Sequence, residues 1–133
     1  MGRTRLILDS SAIIAILCHE PGCQALLAKI GSARLVVIGA PTLAETQLAL
    51  TVKLSRDASA LVEQFLVEAQ ALVVPFGREH ISEFFSAFLR FGKGRHPARL
   101  NMGDCFTYAT AKVASMPVLC VGNDFALTDI ARA

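Results

Sequence analysis

Four acidic side chains stand where apolar runs give way to helical patterns: Asp9, Glu45, Asp104 and Asp124. Carboxylates at such junctions either cap helix amino ends or gather at one edge of a sheet around a cation. Taken singly, each has a capping role open to it. Thr42-Leu43-Ala44-Glu45 fits the capping box, in which Glu45 reaches back to the Thr42 amide. Asp104, three residues after Asn101, suits a first-turn acid facing the helix dipole. Asp9 and Asp124 each precede a helical pattern and could accept from its first amides. Taken together the four carry another meaning. Two unscreened carboxylates about 4 Å apart repel by about 4 kcal/mol at an effective dielectric of about 20, so a cluster persists only by taking up protons or binding a cation. All-oxygen ligands without His or Cys suit Mg²⁺ or Mn²⁺ rather than zinc. A divalent ion there could ionise a water and steady an in-line phosphoryl displacement, which is the chemistry of metal-dependent phosphodiester hydrolysis.

The elements that must position these acids follow from the apolar pattern. Leu6-Ile7-Leu8 has no polar alternation and predicts a strand covered on both faces, ending at Asp9. Ala12 to Leu17 continues as a helix, and Glu20-Pro21-Gly22 turns the chain. Cys23 to Ile30 predicts a short helix closed by Gly31. Leu35-Val36-Val37-Ile38 is a second buried strand, broken by Gly39-Ala40-Pro41, after which Thr42 opens a long helix. Ser59 to Ala69 is another amphipathic helix, and Leu72-Val73-Val74-Pro75 a third strand that ends at its proline or lies at an edge. Ile81, Phe84, Phe85, Phe88 and Leu89 fall at helical spacing and predict a core-facing helix. A helix beginning at Asn101 carries Asp104 and Tyr108, Pro117 to Val121 is a fourth strand, and Thr128 to Ile130 a final helical turn. Strands alternating with helices predict an α/β fold, a three-layer α/β/α sandwich on a short, mainly parallel sheet of four to five strands. Right-handed crossovers gather the strands' carboxyl ends along one edge, where open parallel sheets bind ligands.

Bulk composition bounds the alternatives. The chain's 133 residues predict one domain spanning 1–133, and 53% hydrophobic residues exclude a disordered chain. No window reaches the roughly 18 unbroken apolar residues of a membrane span, and Met1-Gly2-Arg3-Thr4-Arg5 shows no signal-peptide layout, so a cytoplasmic protein is expected. A net charge of +2 is too mild to argue nucleic-acid binding by itself. Cys18, Cys23, Cys105 and Cys120 are expected to be reduced, and Cys18, His19 and Cys23 lack the spacing of a zinc knuckle.

Several blocks of the chain resemble the PIN-domain ribonucleases, and more closely the VapC-type toxins of toxin–antitoxin pairs. The matching stretches are Leu6-Ile7-Leu8-Asp9-Ser10-Ser11-Ala12, Pro41-Thr42-Leu43-Ala44-Glu45, Phe91 to His96, Leu100 to Ala109 and Val121 to Ile130. Gly103-Asp104-Cys105-Phe106 and the Asn123-Asp124-Phe125 to Thr128-Asp129-Ile130 block are the most specific, and the likeness runs nearly end to end. The resemblance implies that Asp9, Glu45, Asp104 and Asp124 hold Mg²⁺ or Mn²⁺ and are catalytic in RNA cleavage. It further implies that Asp129 is an additional acid assisting through water, and that Ser10 is a small hydroxyl beside the first acid. A homodimer silenced by a VapB-type antitoxin is implied as well, and the exposed share of the apolar helices Ala12–Leu17 and Leu43–Leu54 would suit it as a surface.

Lys93, Arg95, His96 and Arg99 lie between Gly92, Gly94 and Pro97, just before Asp104. Lys93, Arg95 and Arg99 are candidates for gripping an RNA backbone, whose phosphate contacts position without specifying sequence. Otherwise the loop is a solvated surface, or a site for an acidic partner. His96 is a poor general base beside a metal-activated water. Tyr108 either supports Asp104 from the next helical turn or packs in the core. Phe84, Phe85 and Phe88 suit core or dimer contact rather than base stacking, because no basic residues interleave with them. A dehalogenase-type phosphatase would need an acid where Ser11 stands, and both Gly-rich phosphate loops are absent. The rival from another class is a non-catalytic RNA- or protein-binding module whose acids only cap helices.

Overall fold

The apolar run at the start of the chain becomes the centre of the molecule. The structure, a computed structural model, describes residues 4–133; the amino-terminal stretch read above includes residues 1–3, which lie outside the described residues. β1 (Arg5–Leu8) pairs with β2 (Leu35–Gly39) on one side and β4 (Val118–Leu119) on the other, while β3 (Leu72–Val74) pairs with β2. Every pairing is parallel and the order is β3-β2-β1-β4. Leu6, Ile7 and Leu8 have no solvent exposure, as a strand covered on both faces requires, and burying each is worth about 1.5–3 kcal/mol.

Strand alternation divides the core. Leu6, Leu8, Val36 and Ile38 pack on one face with residues of α1 (Ser10–Leu17), α2 (Cys23–Ser32) and α4 (Ser59–Ala69). Ile7 and Val37 pack on the other with residues of α5 (Arg78–Phe91) and α6 (Met102–Ala114). That is the expected three-layer sandwich on four strands. α3 (Ala40–Leu54) contacts α1, α4 and α6, and its Leu50 joins Val62 in a smaller cluster beside α1. Among the described residues no helix is long and apolar enough to cross a membrane.

The structure departs from the sequence-based expectations in four places. α2 runs through Gly31 to Ser32, because the extended Ala33 that leads into β2 closes it rather than a left-handed glycine. α3 begins at Ala40 with Pro41 in its first turn, where proline's missing N–H costs nothing. Thr42 therefore does not cap that helix, and the capping box that was open to Glu45 does not form. α5 docks through Ala87 and Phe91, with Phe84 against Phe106 at 4.8 Å, while Ile81, Phe85, Phe88 and Leu89 face outward. Periodicity reports an apolar stripe but not what covers it. Finally, β4 holds only Val118–Leu119, and Asp124 sits in a turn-rich segment rather than ahead of a helix.

Candidate metal centre

With the strand order β3-β2-β1-β4, the chain leaves β1 toward β2 on one side and returns as β4 on the other. Asp9 follows β1 at that switch point, where open sheets leave a crevice. Asp9 is 5% exposed. Its Oδ2 accepts from the Ser11 amide at 3.1 Å and the Ser11 hydroxyl at 2.6 Å, so it does cap α1. Its Oδ1 accepts from the Thr107 hydroxyl at 2.6 Å, and Thr107 in turn lies 3.3 Å from the Thr42 hydroxyl. Hydroxyls from two helices thus fix this carboxylate, with Thr42 of α3 standing behind Thr107.

Asp104, 8% exposed, stands in the first turn of α6. Its Oδ2 accepts from the Asn101 amide at 3.1 Å, and its own amide donates to Asn101 Oδ1 at 2.8 Å, a full capping box. Capping does not settle its charge. Burial, followed by the charges of Asp124, Asp9 and Glu45, pushes it up to about 7 against the pull of the Asn101 amide. Glu45 is raised as well, by burial and then by Asp9, with the Ser10 hydroxyl opposing. Glu45 Oε1 is buried without a hydrogen-bond partner. Its other oxygen lies against Gly103, where any Cβ would collide with it. Asp124 is exposed at the rim. The four acids therefore act on one another electrostatically, and two of the four capping readings fail: Glu45 caps nothing, and no helix follows Asp124.

An orphaned buried carboxylate oxygen, a glycine cradle for that carboxylate and an all-oxygen donor set fit a hard divalent cation. The acids ring the crevice without closing on a point: among the described residues no three Asp, Glu, His or Cys side chains are grouped tightly enough to hold an ion as they stand. All four cysteines are free. Cys120 lines the same neighbourhood, and burial together with Asp9 pushes its thiol up to about 11, so it stays protonated at neutral pH.

The basic loop adjoins the crevice. Lys93, Pro97, Arg99 and Asn101 line a groove of about 430 Å³ together with Asn123 and Asp124. Arg95 opens onto a neighbouring groove beside Lys93 and Arg99, its guanidinium 5.4 Å from the Phe88 ring. His96 accepts from the Ala98 amide at 3.0 Å and packs edge-on against Phe91, which makes it a loop brace.

Two residues lie elsewhere. Tyr108 is fully buried and its hydroxyl donates to Asp129 Oδ1 at 2.7 Å, so it is a core residue whose hydroxyl is committed to Asp129 rather than to Asp104. Asp129 also accepts from Lys112 and lies 3.7 Å from Arg90, in a cluster apart from the four acids. Sequence reasoning missed Ser11 and Thr107. Thr107 had a signal: three residues beyond Asp104, it shares that acid's helical face.

A parallel sheet with acids ringing the crevice at its switch point is an architecture suited to a nuclease, and the comparisons place the chain among ribonucleases. The PIN-domain family model matches residues 6–131. Ribonuclease VapC36 of Mycobacterium tuberculosis is 42% identical over 126 residues, covering 94% of this chain and 91% of that protein. The crystal structure of VapC20 of Mycobacterium tuberculosis, titled a sarcin–ricin-loop-cleaving toxin, matches with a TM-score of 0.77 at 12% identity, covering 96% of this chain and 98% of that one. VapBC2 of Rickettsia felis, solved bound to a DNA fragment from its promoter, matches with a TM-score of 0.70 at 12% identity, covering 97% and 96%. The chain belongs to the PIN-domain family, among the VapC ribonucleases.

Proposed function

We propose that this chain is a Mg²⁺- or Mn²⁺-dependent endoribonuclease and the toxin of a type II toxin–antitoxin pair. The observation that carries the reading is the buried, unpartnered oxygen of Glu45 beside Asp104, whose carboxyl is pushed up to about 7. Capping explains neither, and a shared cation explains both. Asp9, Glu45, Asp104 and Asp124 would hold the ion. The chemistry such an ion would supply is activation of the attacking water and neutralisation of charge on the scissile phosphate. The chain's own residues do the rest. Ser11 and Thr107 fix Asp9, Asn101 fixes Asp104, and Gly103 leaves room for Glu45. Lys93 and Arg99 share a groove with Asp124 and would draw the RNA backbone toward the acids, with Arg95 gripping beyond it.

The naming of relatives as VapC ribonucleases supports RNA as substrate and a VapB-type antitoxin as partner, acting in the cytoplasm. The outward stripe Ile81, Phe85 and Leu89 suits a second copy of the chain, since an exposed apolar patch of this kind marks an interface. In the test, purified chain is incubated with RNA. Cleavage is expected with Mn²⁺ or Mg²⁺, abolished by chelation, and reduced at least about a hundredfold in Asp9→Asn. RNA bound tightly but never cut under any of these conditions would instead identify a non-catalytic binding module.

A further inference from the structure

Asp129 carries a job that its place among the acids conceals. Its carboxylate is shared by three partners. Tyr108 of α6 donates at 2.7 Å, Lys112 one turn further along the same helix pairs with the second oxygen, and Arg90 at the end of α5 lies 3.7 Å away. Arg90 also reaches the Tyr108 hydroxyl at 3.3 Å. Tyr108 has no solvent exposure, so its hydroxyl needs an acceptor, and Asp129 supplies one. An isolated surface ion pair is worth little, but this one is joined to a buried hydroxyl and spans three segments. Asp129 also lines a cleft with Ser115, Met116 and Pro117, at the amino end of β4, whereas the metal crevice opens at the strands' carboxyl ends.

We propose that Asp129 is a positioning residue, a strut that locks the segment carrying Asp124 to α6, the helix carrying Asp104, and does not itself act on water. The segment has one anchor at its other end, where the Val121 amide donates to the Ser11 hydroxyl at 2.9 Å and that hydroxyl donates to Asp9. Asp124 therefore lies between two anchors, one bonded through Ser11 to Asp9 and the other fixed to the helix that carries Asp104. Because Arg90 leads directly into the basic loop, the same strut ties the RNA-gripping loop to the metal-gripping one. The part of this inference that concerns the metal rests on the proposed nuclease reading, whereas the strut itself does not.

The test reads both parts separately. In metal-free protein, amide hydrogen exchange at Val121, Ala126 and Thr128 is expected to speed up about tenfold in Asp129→Ala, while amides in the middle of α6 keep their protection. Tyr108→Phe and Lys112→Met remove one partner each and should give intermediate acceleration, which keeps the test valid if Asp129→Ala folds poorly. With Mn²⁺ added, Asp129→Asn is expected to bind the ion about tenfold more weakly, yet to recover wild-type kcat once Mn²⁺ is saturating. Unchanged exchange together with kcat lost at saturating Mn²⁺ would overturn the strut and make Asp129 a group acting on water. Unchanged exchange with no loss of metal affinity would overturn it too. A wild-type chain that binds no Mn²⁺ would defeat the nuclease reading, and the exchange arm would still decide the strut.

Discussion

Asp104 and Asp129 stand 25 residues apart on one small domain and show what neighbours make of a carboxylate. Asp104 is buried beside three other acids, and its only compensation is a helix-capping amide; burial pushes it up to about 7. Burial also works to raise Asp129, but its hydrogen bonds from Lys112 and Tyr108 outweigh that and hold it below the usual carboxylate range. An acid whose charge is matched is a structural part. An acid whose charge is left unmatched, with an orphaned Glu45 oxygen nearby, is stabilised only by a proton or a cation. The contrast separates two acids that the sequence presents in the same way.

Gly103→Ala should produce the largest effect on the unmatched side. The new Cβ meets the far end of Glu45, which can swing aside, and alanine favours the helix, so thermal stability should hold or rise by up to about 1 kcal/mol. Mn²⁺ affinity by calorimetry should nevertheless fall about tenfold, because Glu45 no longer lies where the other acids face. Equal affinity in this variant would show that the glycine cradle has no part in the site.

Acid titration of the metal-free chain should split the two carboxylates by sign. Between its ordinary value of 3.8 and about 7, folded Asp104 keeps a proton that the unfolded chain has lost. Its contribution to stability is therefore present at low pH and declines as the pH rises through that window. Thermal unfolding in chelator should show this decline, and Asp104→Asn should flatten it. Asp129 runs the other way, its contribution lost as the pH falls below the ordinary carboxylate range. A wild-type profile that climbs from about pH 4 to 7, with Asp104→Asn unchanged from it, would break the comparison.

The smallest expected effect lies far from both acids. Phe85 is 57% exposed on the outer face of α5, so Phe85→Ser should change unfolding of the monomer by no more than about 0.5 kcal/mol. The same change should shift sedimentation toward the monomer if that stripe seats a second copy.

How much of this was readable beforehand varies with the range of the interaction. Leu6-Ile7-Leu8-Asp9 announces a buried strand ending in a carboxylate because strand burial and its end are written in neighbouring residues. The limits of α4 and the start of α6 beside Asn101, its cap, were legible for the same reason. Side-chain partners distant in the chain were not. Nothing local says that Thr107 will reach back 98 positions to Asp9, or that Asp129 will find Tyr108 and Lys112 rather than the other acids. The stripe on α5 was visible as a stripe, but its direction depends on α6 docking through Phe84 and Phe91. The capping alternative for Glu45 fails because Pro41 moves the helix start upstream of Thr42.

The most direct test is Mn²⁺ titration by calorimetry near pH 6, repeated in buffers of different ionisation enthalpy, with wild-type chain and an Asp9→Asn, Asp104→Asn double variant. Wild type should bind Mn²⁺ and release on the order of one proton as the ion displaces it from the acid cluster, whereas the double variant should bind neither tightly nor with proton release. Binding of equal strength in both proteins, or none in the wild type, would contradict the claim that these acids share a cation.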